Sequence, residues 1–264
     1  MNHLSLFTGA GGGDLAHQHL LNFKTIGYVE IDAYCQKIIA QRIKDGFLDE
    51  APIFGDIDDF IESGAAKKYK GYVDVVTAGF PCQPFSVAGK QKIKKGQDDE
   101  RNKWPQTIQC IRDVGCRIAL LENVPGLLNS GYFPEILRSL AEAGFDARWT
   151  VLGADDVGAP HRRKRLWILA DSENIRFSGS LQRQDSTDQG WGELAQVSIE
   201  RGSSVNYSGQ WPAEPQPICR VAHGVANRVD RLKALGNGQV PRVAATAWRI
   251  LNDSDVAVIK KTPR

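Results

Sequence analysis

No apolar run in the sequence approaches the roughly 20 residues that cross a bilayer. The opening MNHLSLFTGAGGGDLA has no basic stretch leading into an apolar one. Neither membrane insertion nor secretion is expected, and the cytoplasm is the expected compartment. Cysteine is sparse as well. Cys35, Cys82, Cys110, Cys116 and Cys219 contain no CxxC pair, which argues against a disulfide framework and a thiolate zinc site and for a reducing environment. No metal is expected. Net charge is almost absent, since 33 Lys and Arg against 31 Asp and Glu leave +2. Bulk electrostatics therefore neither demands nor excludes a nucleic-acid partner. Internal repeats are lacking too.

What is present is an ordinary globular mixture of 264 residues, 42% hydrophobic and 24% charged, enough for one large domain or a domain with a small appendage. Short aliphatic runs alternate with longer mixed segments up to about residue 170, the pattern of strand, crossover helix and strand in a parallel sheet. Strands are expected at Leu4 to Phe7, Thr25 to Glu30, Val73 to Ala78, Ile118 to Glu122, Ala147 to Leu152 and Arg165 to Ala170. Helices are expected at Ala33 to Lys44, Trp104 to Val114 and Phe133 to Ala143, where apolar residues recur every three or four positions, with Gly144 as a stop.

Composition changes after Asp171, where Ser, Gly, Gln and Asp dominate. The expected division is an α/β domain over 1–170, a short sparse region over 171–226, a segment over 227–254 that returns to the α/β domain, and a solvated tail over 255–264. Within that last ordered segment a glycine-rich turn is expected at Gly236 to Gly238, then an apolar-periodic helix after Pro241. The sparse region is not basic: Ser172 to Arg231 holds six arginines and no lysine against seven acidic residues.

FTGAGGGDLA sets Gly9, Gly11, Gly12 and Gly13 directly after the first strand, ahead of a helix expected from about Asp14. Such a loop lets backbone approach a nucleotide-like ligand and leaves helix N–H groups free. Glu30 ends the next strand about 20 residues on, where a carboxylate can accept from ribose hydroxyls, and Asp56 is positioned for an adenine amine. The loop is not the GxGxxG of dinucleotide enzymes, and on their own these residues read equally well as tight turns and caps.

Cys82 follows an apolar strand between Pro81 and Gln83, at the sheet edge where ligands bind, and a polar run rich in Lys and Gly leads on to Lys103. Cys35, Cys110 and Cys116 lie inside helix or strand patterns and read as packing. Glu122 and Asn123 end the next strand at the same edge. In PHRRKRLW an extended backbone puts His161, Arg163 and Arg165 on one face.

The ordered series FTGAGGG, EID, GDI, GFPCQPFS, ENVPGLL, PHRRKRLW and LGNGQVP resembles the motif series of the C5-cytosine DNA methyltransferases. The resemblance covers residues 4–170 and about 228–251. It implies a Rossmann-like S-adenosylmethionine domain, a small target-recognition region, and double-stranded DNA bound between them. It makes Cys82 the nucleophile, Glu122 the carboxylate of the Glu-Asn-Val motif, and Arg163 and Arg165 the arginines of the basic strand, with His161 where the family usually has Gln. Phe7, Gly9, Ala10, Gly11, Glu30, Ile31, Asp56, Ile57, Gly79, Pro81 and Asn237 fall where the family holds the cofactor. Gln83 and Ser86 lie on the matching DNA-contacting loop, with Asp99 and Arg101 as its Asp-x-Arg. A monomer is expected, with a cognate restriction endonuclease or, as a solitary or phage-type enzyme, without one.

The chemistry suits these residue types. C5 of cytosine is a poor nucleophile until C6 is attacked, and a thiolate both adds and leaves readily. A proton-sharing Glu122 at N3 and Arg165 at O2 would hold the charge that addition creates. C6 is inaccessible in a stacked duplex, so the base must swing out.

Overall fold

A computed structural model describes residues 1–81, 102–172 and 228–252 and the backbone of a short strand at 194–196. Cys82, Gln83, Ser86, Asp99 and Arg101 lie outside the described residues, as do the tail and, apart from Asp171, Ser172 and that strand, the region 171–226.

The elements run β1 (Asn2–Leu6), α1 (Gly12–Leu21), β2 (Lys24–Val29), α2 (Ala33–Lys44), β3 (Ile53–Phe54), α3 (Ile57–Glu62), α4 (Ala65–Lys68), β4 (Val75–Ala78), α5 (Trp104–Val114), β5 (Ile118–Asn123), α6 (Phe133–Glu142), β6 (Asp146–Leu152), β7 (Arg165–Asp171), β8 (Leu194–Gln196), α7 (Arg228–Asn237) and α8 (Pro241–Asn252). The strands form one sheet in the order β3-β2-β1-β4-β5-β7-β6-β8. From β1 the chain first builds outward through β2 and β3, then returns to lay β4 on the other side of β1. The reversal lies between β1 and β4, and a ligand crevice opens at the carboxyl ends of such strands.

β1, β2, β3, β4 and β5 pair in parallel, whereas β7 runs antiparallel to both β5 and β6. The parallel strand–helix–strand pattern expected from the sequence therefore holds for β1 to β5, and β7 adds an antiparallel strand. Strand direction is invisible in the pattern here, because LWILAD is buried along its length on both faces and reads as the same apolar run in either direction.

Leu4, Leu6, Val76, Ala78, Ala119, Leu121 and Ile168 turn one way and pack with Phe60, Ile108, Ile111, Ile136 and Leu140 from α3, α5 and α6. Val75, Ile118, Leu120, Trp167 and Leu169 turn the other way, against Ala16 of α1 and Val243, Ala244, Ala247, Trp248 and Leu251 of α8. At about 25 cal/mol per Å² of apolar surface removed from water, these two layers are the main driving force for the fold. The segment returning after residue 227 therefore packs on one sheet face beside α1.

Local signals explain the helix ends. Asp32 caps α2, its side chain accepting from the N–H groups of Tyr34 and Cys35, as N-cap aspartates do. α5 carries Pro105 in its first turn and ends on Gly115 at φ +64°. Two expectations are corrected. α1 starts at Gly12, not Asp14, which sits inside the helix and is buried. The glycine-rich turn placed at Gly236 to Gly238 is instead the last turn of α7 up to Asn237.

Candidate active site

β1 runs into a tight loop in which Phe7, Gly9 and Gly11 take positive φ (54°, 59° and 76°). For Phe7 that conformation costs about 1 kcal/mol or more, and the surrounding contacts must hold it. At Gly9 an added Cβ would touch nothing within 4 Å, so the backbone and not crowding calls for glycine there. Its N–H donates to Glu30 Oε2 at 2.6 Å, and the Asp32 N–H donates to Glu30 Oε1 at 2.7 Å. Glu30 is buried, which raises its pKa, while the two N–H donors pull it down.

Gly12 and Gly13 are glycine for another reason. A Cβ on Gly12 would lie 2.5 Å from the Gln239 carbonyl oxygen, and one on Gly13 would overlap Gln239 Oε1. The turn between α7 and α8 thus closes directly on the first turn of α1.

Where the carboxyl end of β5 meets the amino end of the antiparallel β7, Arg165 Nε donates to Glu122 Oε1 at 2.9 Å. Glu122 keeps only 12% of its side-chain surface. Burial pushes its carboxyl up, with Arg165 the leading opposing influence and then Gln239 and Arg163. Gln239 Nε2 lies 3.5 Å from Glu122 Oε2. A Cβ on Gly79 would come within 3.0 Å of that same oxygen, so the end of β4 passes close beside the carboxylate. Asn123 Nδ2 donates to the Phe80 carbonyl at 3.0 Å, tying Glu-Asn-Val to the chain that leads into position 82. Arg163 precedes β7 and donates to the Gly236 carbonyl at 2.7 Å and also to that of Gly238.

A cavity of about 500 Å³ joins these pieces. Of the residues selected from sequence, Phe7, Gly9, Glu30, Ile31, Gly79, Pro81, Glu122, Arg165 and Asn237 line it. Ile31 stands at its rim, 64% exposed. Ala10, Gly11, Asp56, Ile57 and Arg163 are not among its walls. The Ala10 carbonyl accepts from Arg42 at 2.6 Å, Asp56 caps α3 by accepting from the Asp58 N–H at 3.0 Å, and Ile57 is core. Sequence reading missed Gln239, Lys233, Asp14 and His17, all of which line the cavity. Gln239 was findable, two places after Asn237 in LGNGQVP. Lys233 is not marked by any motif, and it pairs with Asp32 at 2.7 Å.

A parallel sheet with an inserted antiparallel strand and a glycine loop at its switch point defines an α/β domain of the methyltransferase class. Solved structures share the fold: Entamoeba histolytica methyltransferase EhMeth matches with a TM-score of 0.52 and 21% identity over 72% of this chain and 57% of that one. A mutant of Spodoptera frugiperda DNMT2 matches with a TM-score of 0.51 and 21% identity over 75% and 55%. The family model for C-5 cytosine-specific DNA methylase matches residues 1–201, and the chain belongs to that family. It is 33% identical over 171 residues to type II methyltransferase M.NgoMIV of Neisseria gonorrhoeae, covering 63% of this chain and 50% of that protein. It is 27% identical over 236 residues to orphan methyltransferase M.SPRI of Bacillus phage SPR, covering 86% and 50%. The chain spans about half the length of these curated relatives. Among the described residues no helix is long and apolar enough to cross a membrane.

Proposed function

We propose that this chain transfers a methyl group from S-adenosylmethionine to C5 of a cytosine flipped out of double-stranded DNA, through a covalent bond between Cys82 and C6. The observation that carries the reading is the half-buried Glu122–Arg165 pair, which shares one cavity with the glycine loop and Glu30. Cavity and loop fit the cofactor: open space surrounds Gly9 where a side chain would project, and each Glu30 oxygen has a lone pair beyond the one its backbone donor uses. Glu30, Ile31, Phe7 and Asn237 would hold it, and when bound it supplies an electrophilic methyl group.

The chain's own residues do the rest. The Cys82 thiolate adds to C6, leaving negative charge over N3 and O2 of the ring. Glu122, held towards its protonated form by burial, shares a proton with N3 while Arg165 donates to O2. C5 takes the methyl group, loses its proton to a base, and the Cys82–C6 bond breaks to restore the ring. The region 171–226 is the proposed base-reading part. The proposed enzyme acts as a monomer in the cytoplasm, and the type II and orphan relatives fit one with or without a companion restriction endonuclease.

Labelled S-adenosylmethionine with duplex DNA tests the reading. Label at C5 of cytosine, absent in Cys82→Ser, supports it. Label on tRNA alone would redirect it to an RNA substrate, and turnover surviving in Cys82→Ser would overturn the covalent route.

A further inference from the structure

Three ligand-type side chains meet in the core behind the glycine loop, away from Glu122 and Arg165. His3 comes from β1, while Asp14 and His17 stand one turn apart on α1. All are buried, at 0%, 2% and 1% exposure. One nitrogen or oxygen from each lies within 4.8 Å of the other two. Buried polar groups are normally paired, and His3 obeys, with Thr25 Oγ1 at 3.0 Å from one ring nitrogen and Thr77 Oγ1 at 2.7 Å from the other. His17 does not: neither of its ring nitrogens has a hydrogen-bond partner, and Asp14 Oδ1 has none either. Each such buried group is destabilising if nothing meets it. The surroundings offer no remedy, since Phe23 lies parallel to the His17 ring at a centroid distance of 5.9 Å and Trp248 packs edge-on against Phe23. Ser5, Thr77, Asp14 and His17 are among the residues that line the cavity, which sets two of the three ligand-type side chains at its wall. Methyl transfer as proposed above uses none of the three.

We propose that His3, Asp14 and His17 bind a divalent transition-metal ion of the zinc class, with a water from the cavity as fourth ligand. Two imidazoles and one carboxylate with an open position are a donor set zinc accepts, whereas calcium and magnesium want oxygen alone. Burial drives both imidazoles towards the unprotonated form that carries the free lone pair. Bonds of about 2.0–2.2 Å put tetrahedral ligand atoms roughly 3.3 Å apart, so the three close in by side-chain rotation when the ion enters. One threonine hydroxyl gives up its His3 nitrogen to the ion, and the other stays on the remaining nitrogen and fixes the ring, the usual outer partner of a metal-bound histidine. The few cysteines gave no hint of such a site, because none of them takes part.

The ion would join β1 to α1 across the loop Phe7 to Gly11, bracing both ends of the segment that approaches the cofactor. The proposal does not depend on the methyl-transfer reading, and its test needs no activity.

The full chain is stripped with a chelator, dialysed with zinc chloride, freed of excess, and analysed for metal by mass spectrometry and for melting temperature by calorimetry. About one zinc per chain and a melting temperature higher by a few degrees are expected, both lost in His17→Phe and Asp14→Asn. Cobalt(II) in the wild-type chain serves if those variants do not fold: visible bands without a sulfur charge-transfer band are expected. No metal retained, zinc retained equally by folded variants, or a sulfur charge-transfer band would each overturn the proposal, the first leaving buried water as the partner of His17 and Asp14.

Discussion

Gln239 Oε1 fills the position that a β-carbon on Gly13 would take, so the turn before α8 and the first turn of α1 meet with no room for a methyl group. Gly13→Ala is expected to lower stability by about 1–3 kcal/mol through overpacking, net of the gain of up to about 1 kcal/mol that alanine brings to a helix. Because the obstructing atom belongs to a side chain, adding Gln239→Ala is expected to recover most of the loss. Gly12→Ala meets the Gln239 backbone carbonyl, and no change of that side chain relieves it. Urea unfolding of the single and double variants measures the coupling, and strictly additive losses would refute the contact as the cause.

Glu30 accepts from two backbone N–H groups, one on each oxygen. A glutamine can satisfy only one of them and turns its own NH2 towards the other. Glu30→Gln is therefore expected to weaken S-adenosylhomocysteine binding about 10- to 100-fold, in keeping with roughly 1.5–3 kcal/mol for charged hydrogen bonds. Calorimetric titration reads this directly, and unchanged affinity would remove Glu30 from the cofactor site.

Burial raises the pKa of Glu122 against the pull of Arg165. The stability gained from its protonated form is complete below the ordinary carboxylate range and fades as pH rises through the raised folded value. Activity that needs the proton falls in the same direction, producing an alkaline limb in kcat/KM. Arg165→Gln removes the main influence holding the pKa down and is expected to move that limb to higher pH. Glu122→Gln is expected to abolish the limb and cut kcat/KM by about 10²- to 10⁴-fold. A limb unmoved in Arg165→Gln would belong to another group.

Trp248 is 5% exposed and meets Phe23 edge-on at 4.9 Å. Trp248→Ala is expected to cost about 3–5 kcal/mol, far more than a surface change on the same helix such as Arg249→Ala. Thermal unfolding compares the two, and similar losses would mean that α8 is not a core element.

Much of this was readable in advance where the cause is local. α2 begins where Asp32 caps it, and α5 stops where Gly115 turns left-handed. Glu122, Glu30 and the glycine loop come together in one cavity because strand ends in a sheet of this kind converge at its switch point. What escaped sequence reading depends on distant partners. Gln239 matters through Gly12, Gly13 and Glu122, none of them near it in the chain. Asp14 and His17 look like ordinary polar positions on a helix until β1 brings His3 against them. Arg163 was expected to face substrate with Arg165, yet it holds the carbonyls of Gly236 and Gly238, a use that only the returning segment creates. β3, of two residues, and α4, of four, are too short for any periodicity to show.

Because α7 and α8 come back to wall the cavity and cover the sheet, everything between Ser172 and Arg228 enters and leaves from anchored ground. The closure entropy of a segment fixed at both ends rises only with the logarithm of its length, about 0.6 kcal/mol per doubling. Lengthening that stretch therefore costs little in closure entropy so long as β8 keeps its place beside β6. If the stretch is the base-reading part, as proposed, one catalytic frame can be re-addressed to new DNA sequences without being rebuilt.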